Sequence, residues 1–161
     1  MRAAELIERL HLQPHPEGGR YHRFFCSEQQ VTRASTGDQR PAMTSIYYLL
    51  LAGEVSDWHR VLSDEIWHHY EGADLLLRIA APDALSHTEH RLGPLSDGRE
   101  PVRAVPAGHW QSARCLGDFS LVGCSVAPGF DFEDFLLARD LGDNQAYIHT
   151  RLRALGDTGQ R

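Results

Sequence analysis

His59 and Glu65 are the side chains best placed for chemistry in GEVSDWHRVLSDEIWHHYEG, residues 53 to 72. On a β-strand successive side chains alternate faces, so residues two apart look the same way. One strand through His59 and a second through Glu65, joined by a short turn at Leu62, Ser63 and Asp64, would aim an imidazole and a carboxylate into one cavity. Such a pair serves two chemistries. Together the groups suit iron, manganese, zinc or nickel. Without a cation, an imidazole near its ordinary pKa and polarised by a carboxylate suits general acid–base catalysis. A carboxylate on an inward strand face is costly to bury alone, and His59 is the partner the spacing offers Glu65. Trp67 and His69 share the Glu65 face, whereas His68 points the other way. Trp67 is expected to pack, with stacking on a substrate ring as its role if it stands at a cavity mouth. His69 is the residue that could add a further ligand.

The spacing resembles a metal-binding motif with one ligand replaced. Gly53, five residues, His59, one residue, Val61, three residues, Glu65, six residues and Gly72 follow the first motif of the cupin superfamily, where a second His stands in place of Val61. The second cupin motif, Pro, any residue, Gly, two residues, His, is approximated by Pro106, Gly108 and Gln111, with Gln in the place of His and Glu100 where a Gly is expected. The blocks LQPHPEGGRYHR, SIYYLLLAGE, SDEIWHHYEG, VPAGHWQ and SLVGCSVAPGFDFEDFLLA, spanning about residues 12 to 138, are similar to a small single-domain cupin subfamily catalogued as a domain of unknown function, the cupin 5 type.

This resemblance implies an all-β fold, a single cupin jelly roll or double-stranded β-helix with short N- and C-terminal helices, and a homodimer. It implies metal positions at His59, Glu65 and Gln111. An isopropyl group at Val61 donates nothing to a cation and an amide is a weak transition-metal ligand, so the cofactor expectation is either none or a divalent metal (Fe, Mn, Ni or Zn). Three functions follow. The first is a small-molecule-binding cupin acting as a sugar or nucleotide-sugar isomerase or epimerase, with His59 and Glu65 as metal-free acid–base residues and a pocket Tyr returning the proton. The second is a metal-dependent cupin oxygenase or isomerase, and the third a ligand-binding cupin without turnover. Substrate-binding candidates are Arg23, Tyr48, Trp67, His69, His109 and Gln111. Arg23 follows HPEGG and shares a strand face with Tyr21, so its guanidinium could hold a carboxylate or phosphate. Only one of Tyr47 and Tyr48 can face the cavity.

A chain of 161 residues with 42% hydrophobic content is enough for one domain with a real core. The expected extent is a single cupin domain over 1–161, with the barrel over about 12–140 and a C-terminal helix over about 143–155. A formal charge of −6 argues against a nucleic-acid partner. No stretch approaches the ~20 apolar residues of a membrane helix, and the charged start (Arg2, Glu5, Glu8, Arg9) lacks a signal-peptide core, so a cytoplasmic protein handling a polar small molecule is expected. Cys26, Cys115 and Cys124 form no paired motif and are expected as thiols, Cys124 as a small buried hydrophobe. No GxSxG elbow, phosphate loop or CxxC pair is present.

The elements that must position these side chains are strands joined by turns. Ala3, Leu6, Ile7 and Leu10 predict a first amphipathic helix. His15-Pro-Glu-Gly-Gly predicts a turn, its segment also offering an edge to a second copy. Strands are expected at about 21–25, 44–51, 55–62, 65–70, 74–80, 86–92, 101–105, 109–114 and 118–127, and a polar loop over the barrel mouth at 29–41. Residues 133–141 have helical composition, and Asp131, Glu133 and Asp134 suit a helix start. Ile148, Leu152 and Leu155 predict a last helix, and 156–161 a frayed tail.

Overall fold

The computed structural model describes residues 1–156, so the end of the expected frayed tail, 157–161, lies outside the described residues. In chain order the elements are α1 (Arg2–Arg9), β1 (Gln13–Pro14), β2 (Arg20–Cys26), β3 (Gln30–Thr32), β4 (Gln39–Pro41), β5 (Thr44–Leu51), β6 (Val55–Arg60), β7 (Asp64–Gly72), β8 (Leu75–Ala80), β9 (His87–Leu92), β10 (Val102–Val105), β11 (Trp110–Cys115), β12 (Phe119–Ala127), β13 (Leu136–Leu137) and α2 (Ala146–Gly156). A six-stranded sheet, β1-β2-β5-β12-β7-β10, faces a five-stranded sheet, β13-β6-β11-β8-β9, in the double-sheet arrangement of a jelly roll. All named strand pairs are antiparallel.

Alternation along β5 shows how the layers are filled. Tyr48 and Leu50 join Trp67, Leu75, Leu77 and Val122 in the core between the sheets. Leu49 faces outward, where Leu6 and Leu12 cover it and Leu121. The second helix covers the other sheet, with Ile148 and Leu152 on Trp58 and Trp110. Burial on both faces explains why TSIYYLLL is nearly continuous in apolar residues. Fully burying each such leucine contributes about 1.5–3 kcal/mol.

Two segments differ from the sequence expectation. Residues 29–41 include a hairpin of β3 and β4 rather than a plain loop. Arg33 and Arg40 from this hairpin reach Asp134, with Arg33 Nη2, Arg40 Nε and Arg40 Nη2 donating at 2.9, 2.9 and 3.0 Å. The second difference is 133–141, which forms 3₁₀ turns at Phe132–Asp134 and Ala138–Asp140 around the short β13, with no α-helix. Phe130, Phe132 and Phe135 pack against one another, Phe132 and Phe135 also against His15, and β13 pairs with β6. These tertiary contacts hold the segment open where composition favours a helix. Asp134 is accordingly a buried counter-ion, 8% exposed, and not a helix-start carboxylate.

Candidate functional site

The barrel interior between the sheets is closed at one level by a chain of hydrogen bonds. Trp67 Nε1 donates to Gln111 Oε1 at 2.8 Å, and Gln111 Nε2 donates to Glu65 Oε2 at 2.6 Å. An indole N–H can only donate, so the amide atom facing Trp67 must be the oxygen and the atom facing Glu65 the nitrogen. Register explains the bridge. Gln111 lies opposite His59 in the five-stranded sheet, while Glu65 pairs with Val105 and Val126 in the six-stranded sheet. Trp67, Gln111 and Tyr48 are buried to 1% exposure or less and stand behind the cavity wall.

On the open side of this floor lies a cavity of about 530 Å³. His59, Glu65 and Arg23 line it, together with His15, Glu17, Ile46, Cys124, Phe130 and Phe132. His59 and Glu65 face one cavity, as strand parity predicts, but the side-chain partner of His59 is Glu17 and that of Glu65 is Gln111. His59 Nε2 lies 3.1 Å from Glu17 Oε2, and Ser56 Oγ donates to Glu17 Oε1 at 2.9 Å. Glu17 is carried inward by the HPEGG turn, where His15 N donates to Gly19 O at 3.0 Å and Gly18 N donates to His15 O at 3.0 Å. Tyr48 Oη donates to Gly18 O at 2.6 Å and fastens the turn to the core. The Glu17 backbone N–H donates to His15 Nδ1 at 3.1 Å.

The proton positions follow from these partners. His59 Nδ1 lies 2.7 Å from Asp57 O, which can only accept, so Nδ1 carries the hydrogen. In the neutral ring Nε2 is then a bare acceptor, and the contact with Glu17 Oε2 requires the proton on Glu17. Burial favours that state. It pushes Glu17 up to about 8, with the Ser56 and Tyr48 hydroxyls opposing. It pushes His59 down, with the Glu65 carboxylate opposing. Burial also raises Glu65 to about 7, against the neighbouring imidazole of His59 and reinforced by Glu17. His15 is lowered to about 3 by burial and by His59. Burial, Glu65 and Glu17 raise the Cys124 thiol well above its usual range, so it stays a thiol.

Two expected site residues lie elsewhere. The ring of His69 is at 3.0 Å from Ala73 O, one row beyond Trp67 on the same strand face, and does not line the cavity. His109 follows Gly108, whose φ of +78° breaks the strand alternation, and it lines a separate groove with His87, His90 and Arg103. Glu17 and His15 were not singled out from the sequence. The signal available was a Glu and a His two apart at a Pro-Gly-Gly turn, and the need of a buried His59 for a partner.

The donors at the inherited ligand positions do not fit a divalent cation. Val61 offers none, the Gln111 oxygen is taken by Trp67 and its nitrogen presents hydrogens to Glu65. His69, the possible replacement, is held at Ala73. Protein metal sites of this kind supply three or four donors, whereas His59 and Glu65 are two. Among the described residues no three His, Cys, Asp or Glu side chains converge as a cation requires.

Comparison with known proteins places this architecture. A family model described as Cupin superfamily (DUF985) matches residues 4–138. The solved structure of protein SO0799 from Shewanella oneidensis is 34% identical, with 99% of this chain and 97% of that chain covered and a TM-score of 0.81. A hypothetical protein from Leishmania major is 29% identical over 94% of this chain and 97% of that one, also at a TM-score of 0.81. Oxalate decarboxylase from Bacillus subtilis shares the fold at 14% identity, 81% of this chain against 30% of that chain, with a TM-score of 0.56. Among curated proteins nothing matches. Among the described residues no helix is long and apolar enough to cross a membrane.

Proposed function

The chain belongs to the cupin superfamily (DUF985), and from that premise we propose that it is an isomerase- or epimerase-type cupin moving a proton on a polar small molecule without a metal. The observation that carries this reading is the 3.1 Å contact between Glu17 Oε2 and His59 Nε2, with His59 Nδ1 tied to Asp57 O. It makes Glu17 a buried carboxylic acid facing the cavity that Glu65 also lines. Burial raises Glu65 less than Glu17, to about 7 against about 8, so Glu65 is the more readily ionised of the two. Two carboxyls with separated pKa values form an acid and a base.

Glu65 removes the proton from a carbon next to a carbonyl, and Glu17 gives its proton to the carbonyl oxygen. The product of these two transfers is a neutral enol, so no oxidant or metal charge is needed. The carboxylate left on Glu17 keeps the Ser56 hydroxyl on Oε1 and is reprotonated when the enol collapses. Return of the proton from Glu65 to the former carbonyl carbon, as the neighbouring hydroxyl gives its proton to Glu17 and becomes the new carbonyl, completes an isomerisation. A positioned acid or base contributes about 10²–10⁴-fold in rate.

The test is carbon-bound hydrogen exchange in D₂O, followed by NMR, across aldose and ketose phosphates, sugar acids and keto acids. Exchange in at least one compound, lost in Glu65→Gln and unchanged by chelator, is expected. Absence of exchange throughout the panel would remove the catalytic reading in favour of a ligand-binding cupin, and loss of exchange on chelation would restore the metal. The same reading takes the protein as a homodimer. Supporting it, β2 is paired on its outer side only at Arg20 and Tyr21, leaving an edge that bears Phe24 and Phe25, 46% and 44% exposed. A monomer by light scattering would reject the dimer.

A further inference from the structure

We infer that the substrate is a small anion, its carboxylate or phosphate held by Arg23 at the cavity rim while its reacting carbon lies over Glu17 and Glu65. This rests on the acid–base reading of the cavity floor and adds the substrate class to it.

Arg23 lines the cavity and, among the described residues, its guanidinium makes no hydrogen bond or ion pair with protein. Arg20, three residues earlier on β2, donates to Glu54 at 2.8 Å. Arg33 and Arg40 are committed to Asp134, and Arg139 to Asp57. A guanidinium with its donor fork free at the rim of a cavity is matched to a planar carboxylate or a phosphate.

The surface between Arg23 and the floor limits what can bridge them. Arg23 on β2 pairs with Ile46 on β5, which pairs with Cys124 on β12. The next cavity-facing row runs through Thr44 and Val126 to Glu65 on β7. From β2 to β7 there are three strand spacings, about 14 Å between backbones, crossed by Ile46, Cys124, Thr44 and Val126. Phe130, Phe132 and Val61 also line the cavity. The Thr44 hydroxyl already accepts from Phe130 N at 2.9 Å. Along this row a neutral polyol would set hydroxyls against Ile46, Cys124 and Val126, which offer them no strong partner. A molecule with an anionic head, a short carbon chain and a carbonyl near its far end matches it group for group. Asp131 on the rim disfavours a second negative charge there, so one oxyanion group per ligand is the expected number.

The experiment uses the whole chain and reads binding, not turnover. The Nε–Hε resonance of Arg23 is assigned by its loss in Arg23→Lys and followed during titration with acetate and with inorganic phosphate. A saturable shift with either ion is expected, and whichever saturates at the lower concentration identifies the head group. Cavity resonances should respond at least about tenfold more weakly in Arg23→Gln, the charge-assisted pair being lost. Gluconate and glucose 6-phosphate are then each compared with glucose, and at least one acid should bind about tenfold more tightly than the neutral sugar. No saturation with either ion, an unchanged response in Arg23→Gln, or glucose binding as well as both acids would overturn the inference. Anion binding at Arg23 without hydrogen exchange in any compound would remove the catalytic reading and leave this site standing. Exchange in neutral sugars that survives Arg23→Gln would do the reverse.

Discussion

Glu17 Oε2 and His59 Nε2 stand 3.1 Å apart, and this contact separates a proton-transfer role from a structural one. Glu17→Gln keeps its shape: the amide oxygen can still accept from Ser56, and the amide nitrogen can donate to His59 Nε2. The variant should melt close to wild type while the exchange rate falls by about 10²–10⁴-fold, the usual worth of one general acid. The wild-type rate should pass through a maximum between about pH 7 and 8. Its acid limb reports ionisation of Glu65 and its alkaline limb loss of the Glu17 proton. In Glu17→Gln the residual rate should lose the alkaline limb. A profile still falling above pH 8 would assign that limb to another group. Legibility at this scale was uneven for a physical reason. His59 and Glu65 could be found because strand parity and a short turn relate them locally. Glu17 was hidden because its partner lies on another strand, and only the closed barrel brings the two together.

At the scale of elements, β5, β8 and β12 were legible because they are rich in apolar residues and flanked closely by Gly, Pro or Asp. The expected bounds at 44–51 coincide with β5, and 118–127 with β12 to within a residue. The hairpin of β3 and β4 escaped because Gln30–Thr32 and Gln39–Pro41 are exposed in all but Arg40 and Pro41 and have no alternating apolar face. The hairpin is tied to the barrel by charge. Arg33 and Arg40 share Asp134, and Arg33 Nη2 also donates to Ser63 Oγ at 2.8 Å. Asp134→Ala would remove the carboxylate that Arg33 and Arg40 share, leaving Asp38 at 4.0 Å and Glu133 at 3.5 Å as their remaining acidic partners, and should cost more than the ~1 kcal/mol of a surface pair. Urea denaturation should show that loss, and a midpoint shift worth under about 1 kcal/mol would make the cluster a surface ion pair in effect. The HPEGG turn makes a second prediction. Gly18 has φ +108°, and a Cβ there would run into the Val55 carbonyl oxygen. Gly18→Ala should therefore cost about 1–3 kcal/mol in backbone strain and displace Glu17, lowering exchange even where the protein remains folded. Exchange at the wild-type rate in a folded Gly18→Ala protein would free Glu17 of dependence on the turn.

For the whole molecule, these buried groups make stability depend on pH. Glu17 and Glu65 are raised to about 8 and 7 from the ordinary 4.5, so the folded state retains protons that the unfolded chain has released. Their contribution is fully present below about pH 4.5 and is lost as pH rises to about 7 for Glu65 and 8 for Glu17. His15 acts oppositely. Lowered to about 3 from 6.5, it stays neutral when folded while the unfolded imidazole takes a proton, so stability rises with pH between about 3 and 6.5. His59 shifts in the same direction. Between about 4.5 and 6.5 the carboxyls and imidazoles offset each other, and the melting temperature should be nearly flat. Above 6.5 the histidines no longer contribute, and Tm should fall toward pH 8, where many domains are still at their plateau. One proton per molecule limits the slope from Glu17 to about 1.4 kcal/mol per pH unit. In Glu17→Gln this decline should disappear between pH 7 and 8, because the amide binds no proton in either state. Differential scanning calorimetry of both proteins from pH 4 to 9 decides the matter. A wild-type Tm that rises from 6.5 to 8 would mean that Glu17 is already ionised in the folded protein. Its contact with His59 would then be an ion pair, and the resting acid would have to be sought in the imidazolium.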